Sequence, residues 1–184
     1  MQGTGDSHGG FFVRLARQFQ STHPDWNFIN LGIGGNTTRD MLKRIDEIEP
    51  YRPFTSIVML GCNDLPREWD GNPDRRTTLE EYAANVTALL PRLATAGSLF
   101  VSSFQPDHSR TGVKLETMDQ YMAAALMCAQ ANPFQIWDLF NELRQQSTLT
   151  TYWAADGLHF NDAGHAFVAD RLSHWLTSGD APAD

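Results

Sequence analysis

The chain has 184 residues, 41% hydrophobic and 20% charged, with 14 Lys and Arg against 22 Asp and Glu and a formal net charge of −8. That length suits one domain with a sizeable core, and no apolar run approaches the roughly 18 residues that a membrane-spanning helix needs. The acidic balance, without any cluster of Lys or Arg, repels phosphate backbones and argues against nucleic acid as a partner.

In chain order, "GTGDSHGG" (3–10) places a Gly-Asp-Ser triplet ending at Ser7 ahead of a helical pattern, "FFVRLARQFQ" (11–20). "NFINLGI" (27–33) reads as a strand and "TTRDMLKRIDEI" (37–48) as a helix started by Thr37 or Thr38. A second strand, "TSIVMLG" (55–61), leads into the polar, turn-rich loop "PREWDGNPDRR" (66–76), in which Trp69 is a partly buried anchor or a substrate platform. Thr77 or Thr78 caps the helix "TLEEYAANVTALLPRLATAG" (78–97), which Pro91 should kink or interrupt and Gly97 closes. "SLFVSSF" (98–104) and "FQIWDLF" (134–140) are further strands, separated by the helix "KLETMDQYMAAALMCAQ" (114–130). "NDAGHAFVADRLSHWL" (161–176), capped by Asn161 or Asp162, is the last helix, and residues 177–184 form a frayed tail. Strand and helix alternate throughout, so the expected fold is a single α/β domain over 1–176 with a doubly wound parallel sheet.

Ligands of open α/β sheets collect at the carboxyl ends of the strands, and Gly, Asn, Asp and His fall there in this chain. In "DGLH" (156–159), Asp156 and His159 stand three apart, close enough for the carboxylate to orient one imidazole nitrogen and leave the other for a substrate. The plainer reading is a turn-capping aspartate beside a half-buried histidine. In "GCND" (61–64), Asn63 at a strand end can donate its side-chain amide to a developing oxyanion, or simply make an Asx turn. "GIGGNTT" (32–38) lets the Gly35 amide approach a substrate oxygen closely; it is otherwise a tight turn, and without a following Gly-Lys-Ser/Thr it is weak as a phosphate cradle. Cys62 and Cys128 lack Cys-x-x-Cys spacing, and Cys62 reads as packing rather than as a thiol nucleophile. His8, His23, His108, His165 and His174 show no metal-ligand spacing, so no metal site is expected.

Taken in this order, "NLGIGGNTT", "GCND" after "SIVML", and "DGLHFNDAGH" resemble the glycine, asparagine and Asp-x-x-His blocks of the SGNH or GDSL-type hydrolase superfamily, with Phe160 where proline is common. The resemblance implies a flavodoxin-like three-layer α/β/α fold of strand order 2-1-3-4-5 and a serine esterase that needs neither metal nor organic cofactor. It also implies a small acyl ester of short or medium chain as substrate, His159 as base, Asp156 as its orienting partner, and Gly35 and Asn63 as oxyanion donors.

The serine block departs from the pattern. Only four residues precede the Gly-Asp-Ser of 5–7, too few for the usual buried strand, and Phe11 stands where a glycine is common. A register with the nucleophile just upstream of Met1 fits better, with the family's first strand missing or very short; Ser7 itself is the other candidate. The rival function is a truncated or degenerate member that binds acylated or glycan ligands without turnover. No leader of basic and apolar residues is visible, so the default compartment is the cytoplasm, and an N-terminus lying further upstream would reopen that point.

Overall fold

A computed structural model describes residues 9–51, 53–66, 77–95, 97–102, 112–145 and 151–181. They fall into two compact units, one drawn from Met1–Gly34 and Ser147–Ala183 and the other from Gly35–Gln146.

The second unit contains the sheet. Strands β1 (Ile57–Met59), β2 (Ser98–Val101) and β3 (Phe134–Trp137) are parallel and adjacent in the order β1-β2-β3, with Ile57 opposite Leu99 and Ser98 opposite Phe134. Parallel neighbours cannot be joined by a tight turn, and the long helices α4 (Leu79–Leu93) and α5 (Leu115–Gln130) supply the crossovers. All four residues of β2 are buried, as expected for a central strand covered on both faces. Val58 and Phe100 of the sheet meet Tyr82, Val86 and Leu90 of α4 and Met118, Met122 and Ala125 of α5 in one core.

Local chemistry sets the element boundaries. The Thr78 hydroxyl accepts from the Glu81 N–H and caps α4. Pro91 does not interrupt that helix, which continues to Leu93: it stands in the last turn, where its missing donor costs a single backbone bond. The helix expected over 37–48 is two short ones, α2 (Thr38–Lys43) and α3 (Ile45–Ile48), separated at Arg44, whose φ of −119° is not helical. The strand expected over 134–140 stops at Trp137, and α6 (Leu139–Gln145) follows because Asp138 accepts from the Asn141 N–H and Ser102 Oγ from the Phe140 N–H.

Residues 27–33 are not a strand. The Asn30 side chain accepts from the Gly32 N–H at 3.0 Å, an Asx turn that breaks the run, and Ile29 and Ile33 are 55% and 54% exposed. The first strand of the expected order would involve residues outside the described ones, and β1-β2-β3 correspond to its last three members.

In the first unit, α1 (Gly10–Gln20) packs on α7 (Asp162–Ser178), burying Leu15 and Phe19 of one and Val168, Leu172 and Trp175 of the other. Gln18 donates to Asp170 at 3.0 Å, and the Phe11 N–H donates to Nδ1 of buried His165 at 3.2 Å. Asn161 caps α7 by accepting from the Gly164 N–H, and Gly179, at φ 79°, ends it. Thr177 and Ser178 therefore belong to the helix rather than to the tail. No helix among the described residues is long and apolar enough to cross a membrane.

Candidate active site

His159 stands on a loop closed at its base by an antiparallel bridge between Trp153 and Phe160, whose rings stack with centroids 4.7 Å apart. The Ala154 N–H donates to the His159 carbonyl and the Asn161 N–H to that of Tyr152, so the loop is a short, pinned hairpin. At its tip, Asp156 Oδ1 accepts from the backbone N–H groups of Leu158 (2.9 Å) and His159 (3.0 Å). Asp156 Oδ2 lies 2.7 Å from His159 Nδ1. The carboxylate is thus held by the turn it closes and presents its second oxygen to the imidazole. Burial works to raise the pKa of Asp156, but the bonds from His159 and the Leu158 N–H outweigh it and hold the carboxyl below its ordinary value. With Nδ1 so occupied, the proton-accepting position of a neutral His159 is Nε2, the arrangement a general base requires.

Phe160, bridged to Trp153 and stacked on its ring, forms the base of this loop. Beneath it Gly164 of α7 leaves no room for a side chain, since an added Cβ would run into the Tyr152 carbonyl and the Phe160 ring.

Gly35 and Asn63 lie in the other unit, and the structure ties their loops together. Asn63, half-buried just beyond the end of β1, donates one amide N–H to the Asn36 carbonyl at 3.0 Å. Its second amide N–H is the one that chemistry could use. Gly35 has φ 82°, a left-handed conformation suited to glycine, and space is open where a Cβ would stand. Thr37 and Asp40 form a reciprocal capping box at the start of α2.

Sequence reasoning passed over Asp64. Its side chain is fully buried and accepts from the Thr38 N–H (3.1 and 3.0 Å to its two oxygens) and from the Thr38 hydroxyl at 2.6 Å. The available signal was its place beside Asn63 in "GCND", where a second acidic residue could have been asked what it holds.

Ser7, His8, Trp69 and His108 lie outside the described residues. His165 is a buried packing residue and His174 is exposed, while half-buried His23 joins an aromatic group with Phe19 and Trp26. Cys62 and Cys128 are free thiols, both partly buried, and burial pushes the Cys128 thiol up. Among the described residues no group of three or more His, Cys, Asp or Glu is placed to hold a metal ion.

Residues 1–167 match the GDSL-like Lipase/Acylhydrolase family model. An acetylxylan esterase of Geobacillus stearothermophilus is 27% identical over 187 aligned positions, covering 92% of this chain and 84% of that protein. The human isoamyl acetate-hydrolyzing esterase 1 homolog is 26% identical over 65% of this chain, which spans about half (54%) of that protein's length. Among solved structures, a lipase/acylhydrolase from Enterococcus faecalis has the same fold, with a TM-score of 0.77 at 20% identity over 94% of this chain and 88% of that one. An acetyl xylan esterase from Geobacillus stearothermophilus superposes with a TM-score of 0.72 at 23% identity over 95% and 84%. The family match spans the described β1-β2-β3 sheet, both glycine and asparagine loops and the Asp156–His159 hairpin, and the chain accordingly belongs to the GDSL-like lipase/acylhydrolase family, as an enzyme that hydrolyses ester bonds.

Proposed function

We propose that the protein is a serine esterase that removes a short acyl group, acetyl foremost, from an alcohol. The observation that carries the reading is the 2.7 Å contact between His159 Nδ1 and an Asp156 carboxylate whose other oxygen is already committed to two backbone N–H groups. In this mechanism a serine Oγ attacks the acyl carbon while His159 Nε2 takes its proton, and the ester C–O bond breaks as that proton passes to the leaving alcohol. Water then attacks the acyl-serine, giving a proton to His159, and the acid leaves with the serine regenerated. The oxyanion formed in each half is held by the Gly35 N–H, the free arm of the Asn63 amide and the serine's own N–H. Each such donor is worth typically about 2.7 to 4 kcal/mol of barrier. The acetyl preference is supported by the names of the relatives, one an acetylxylan esterase and another a homolog of isoamyl acetate-hydrolyzing esterase 1. The reading includes one folded catalytic domain and no required metal.

The test is hydrolysis of p-nitrophenyl acetate by the 184-residue chain and its His159→Ala variant, with fluorophosphonate labelling to locate the nucleophile. Labelling at Ser7 makes that residue the nucleophile. An unlabelled, inactive chain that gains both properties when extended upstream through a Gly-Asp-Ser assigns the role to the register ahead of Met1. Turnover unchanged in His159→Ala would remove the proposed base, and an acyl-ligand-binding chain inert in every form would leave a binding protein in place of the esterase.

A further inference from the structure

Two neighbouring residues, Asn63 and Asp64, reach across to two residues of the glycine loop, Asn36 and Thr38. The first pair is joined by the Asn63 amide on the Asn36 carbonyl, the second by both Thr38 donors on the Asp64 carboxylate. The direction of the second link is fixed. Asn85 Nδ2 donates to Thr38 Oγ1 at 3.0 Å, which leaves the hydroxyl proton for Asp64 Oδ1, and the Thr38 N–H spans both carboxylate oxygens. A carboxylate accepts all of these at once, whereas a carboxamide turns a donor toward the Thr38 N–H. Arg44 Nε donates to Asn36 Oδ1 at 3.1 Å and steadies the same turn from the far side.

We propose that Asp64 is a positioning residue of the oxyanion hole: by clasping Thr38 it holds the Gly35–Asn36 turn in register with Asn63, so that the Gly35 N–H and the Asn63 amide converge on one oxygen. The inference rests on the oxyanion roles given above to Gly35 and Asn63. Asp64 is an expensive way to build a stable turn. Burial pushes its carboxyl up against the lowering effect of the Thr38 bonds and, more weakly, of the Thr77 hydroxyl. The ionisable groups around it are Asp40 and Arg39 from α2, Tyr82 from α4 and Tyr121 from α5. A group whose folded pKa is raised favours folding in its protonated form, and that contribution is lost as pH rises through the folded pKa. The charge that the clasp uses therefore carries a desolvation cost that its hydrogen bonds offset only in part.

The experiment compares the full chain with Asp64→Asn, Asn63→Ala and the double variant in ester turnover and thermal unfolding. Asp64→Asn is expected to lower kcat about 10- to 100-fold with KM within about twofold, as for an interaction made in the transition state. Its unfolding midpoint is expected to fall below that of the parent, because the carboxamide sets a donor against the buried Thr38 N–H, and the gap should narrow as pH rises through the raised Asp64 pKa. In the Asn63→Ala background the Asp64→Asn effect should shrink to less than about threefold, because it acts through the same alignment. Multiplying effects in the double variant, or a kcat unchanged in Asp64→Asn while Asn63→Ala is slow, would overturn the positioning role. Asn63→Ala with normal kcat would instead overturn the oxyanion assignment.

Two further measurements cover an unfolded or inactive variant. Thr38→Val keeps the Thr38 N–H on Asp64 but removes the hydroxyl end of the clasp together with the acceptor of the Asn85 amide, and should lower kcat at least about threefold; no loss would overturn the inference. Amide exchange at Thr38, independent of turnover, should be at least about tenfold faster in Asp64→Asn than in the parent. Unchanged protection there would overturn the clasp whether or not the chain turns over.

Discussion

Replacing Asp156 by asparagine separates the chemical role of the Asp156–His159 pair from its structural one. The carboxylate does two jobs: Oδ1 takes the N–H groups of Leu158 and His159, and Oδ2 faces His159 Nδ1. An asparagine can keep the first job with its carbonyl oxygen, so the turn should survive. Its NH₂ then points at Nδ1 and forces that nitrogen to be the acceptor, which puts the proton on Nε2, the position that must receive one. In serine proteases the same change costs about 10⁴ in kcat. Here the side chains of His159 and Asp156 are 34% and 50% exposed, so water competes for both. We therefore expect a smaller loss, about 10² to 10³, or roughly 2.7 to 4 kcal/mol of barrier at about 1.36 kcal/mol per decade. Stability should change by less than about 1 kcal/mol, the range of an exposed pair. Asp156→Ala should show the opposite balance, losing the one acceptor of both turn N–H groups and about 1 kcal/mol of stability while leaving the imidazole tautomer free. The assay is p-nitrophenyl acetate turnover beside a denaturant melt for each variant. An asparagine variant within about threefold of parental kcat would refute the tautomer argument and the base assignment with it.

The same carboxyl predicts a pH dependence. Because the Asp156 pKa is lowered in the fold, its stabilisation is present above the ordinary value of 3.8 and is lost as pH falls through the folded value, so the unfolding free-energy difference between parent and Asp156→Asn should be flat from pH 7 to about 5 and shrink in acid. Gly164→Ala should cost about 1 to 3 kcal/mol, since the new methyl meets the Tyr152 carbonyl and the Phe160 ring; an unchanged melting temperature would show that the loop gives way freely. The Tyr82 hydroxyl is buried and has no hydrogen-bond partner among the described residues, so Tyr82→Phe should stabilise the protein by about 0.5 to 2 kcal/mol in a denaturant melt, and a loss of stability would reveal a bond the geometry does not contain.

What was legible in the sequence was periodicity and chemistry. The three runs that became β1, β2 and β3 are β-branched or aromatic stretches bounded by turns, and two long helices, α4 between β1 and β2 and α7 after the sheet, carry their caps, Thr78 and Asn161, in the open. What is hard to read is a single polar side chain that stops a strand inside an apolar run. "FQIWDLF" is apolar almost to its end, yet Asp138 inside it accepts from the Asn141 N–H and starts a helix, a choice made by one side chain and by Ser102 from a neighbouring strand. "NFINLGI" contains its own Asx turn at Asn30, and an extended segment becomes a strand only when a ladder partner meets it. Pro91 leaves α4 unbroken because the effect of a proline depends on its distance from the helix end, which a pattern of residues fixes only to within about one or two positions.

The residues proposed for the reaction were easier to find than those that hold them. Asp156 and His159 are three apart and closed by a local turn, so their pairing needs only the loop's own bonds, and a local relation can be read from spacing. Asp64 acts across 26 positions on Thr38, and nothing in the residues between announces that the two will meet. Its only sequence trace is adjacency to Asn63, and adjacency is informative here for a physical reason: beyond the end of β1, where the chain turns at Gly61, consecutive side chains can reach the same loop at two points. A residue beside a reactive one at such a turn is therefore a natural candidate for the group that holds it in place. In this protein that candidate is a buried carboxylate whose hydrogen bonds hold the first residue of α2, and those bonds, lying beside the Asn63–Asn36 contact, are the reason to look for its use in the reaction.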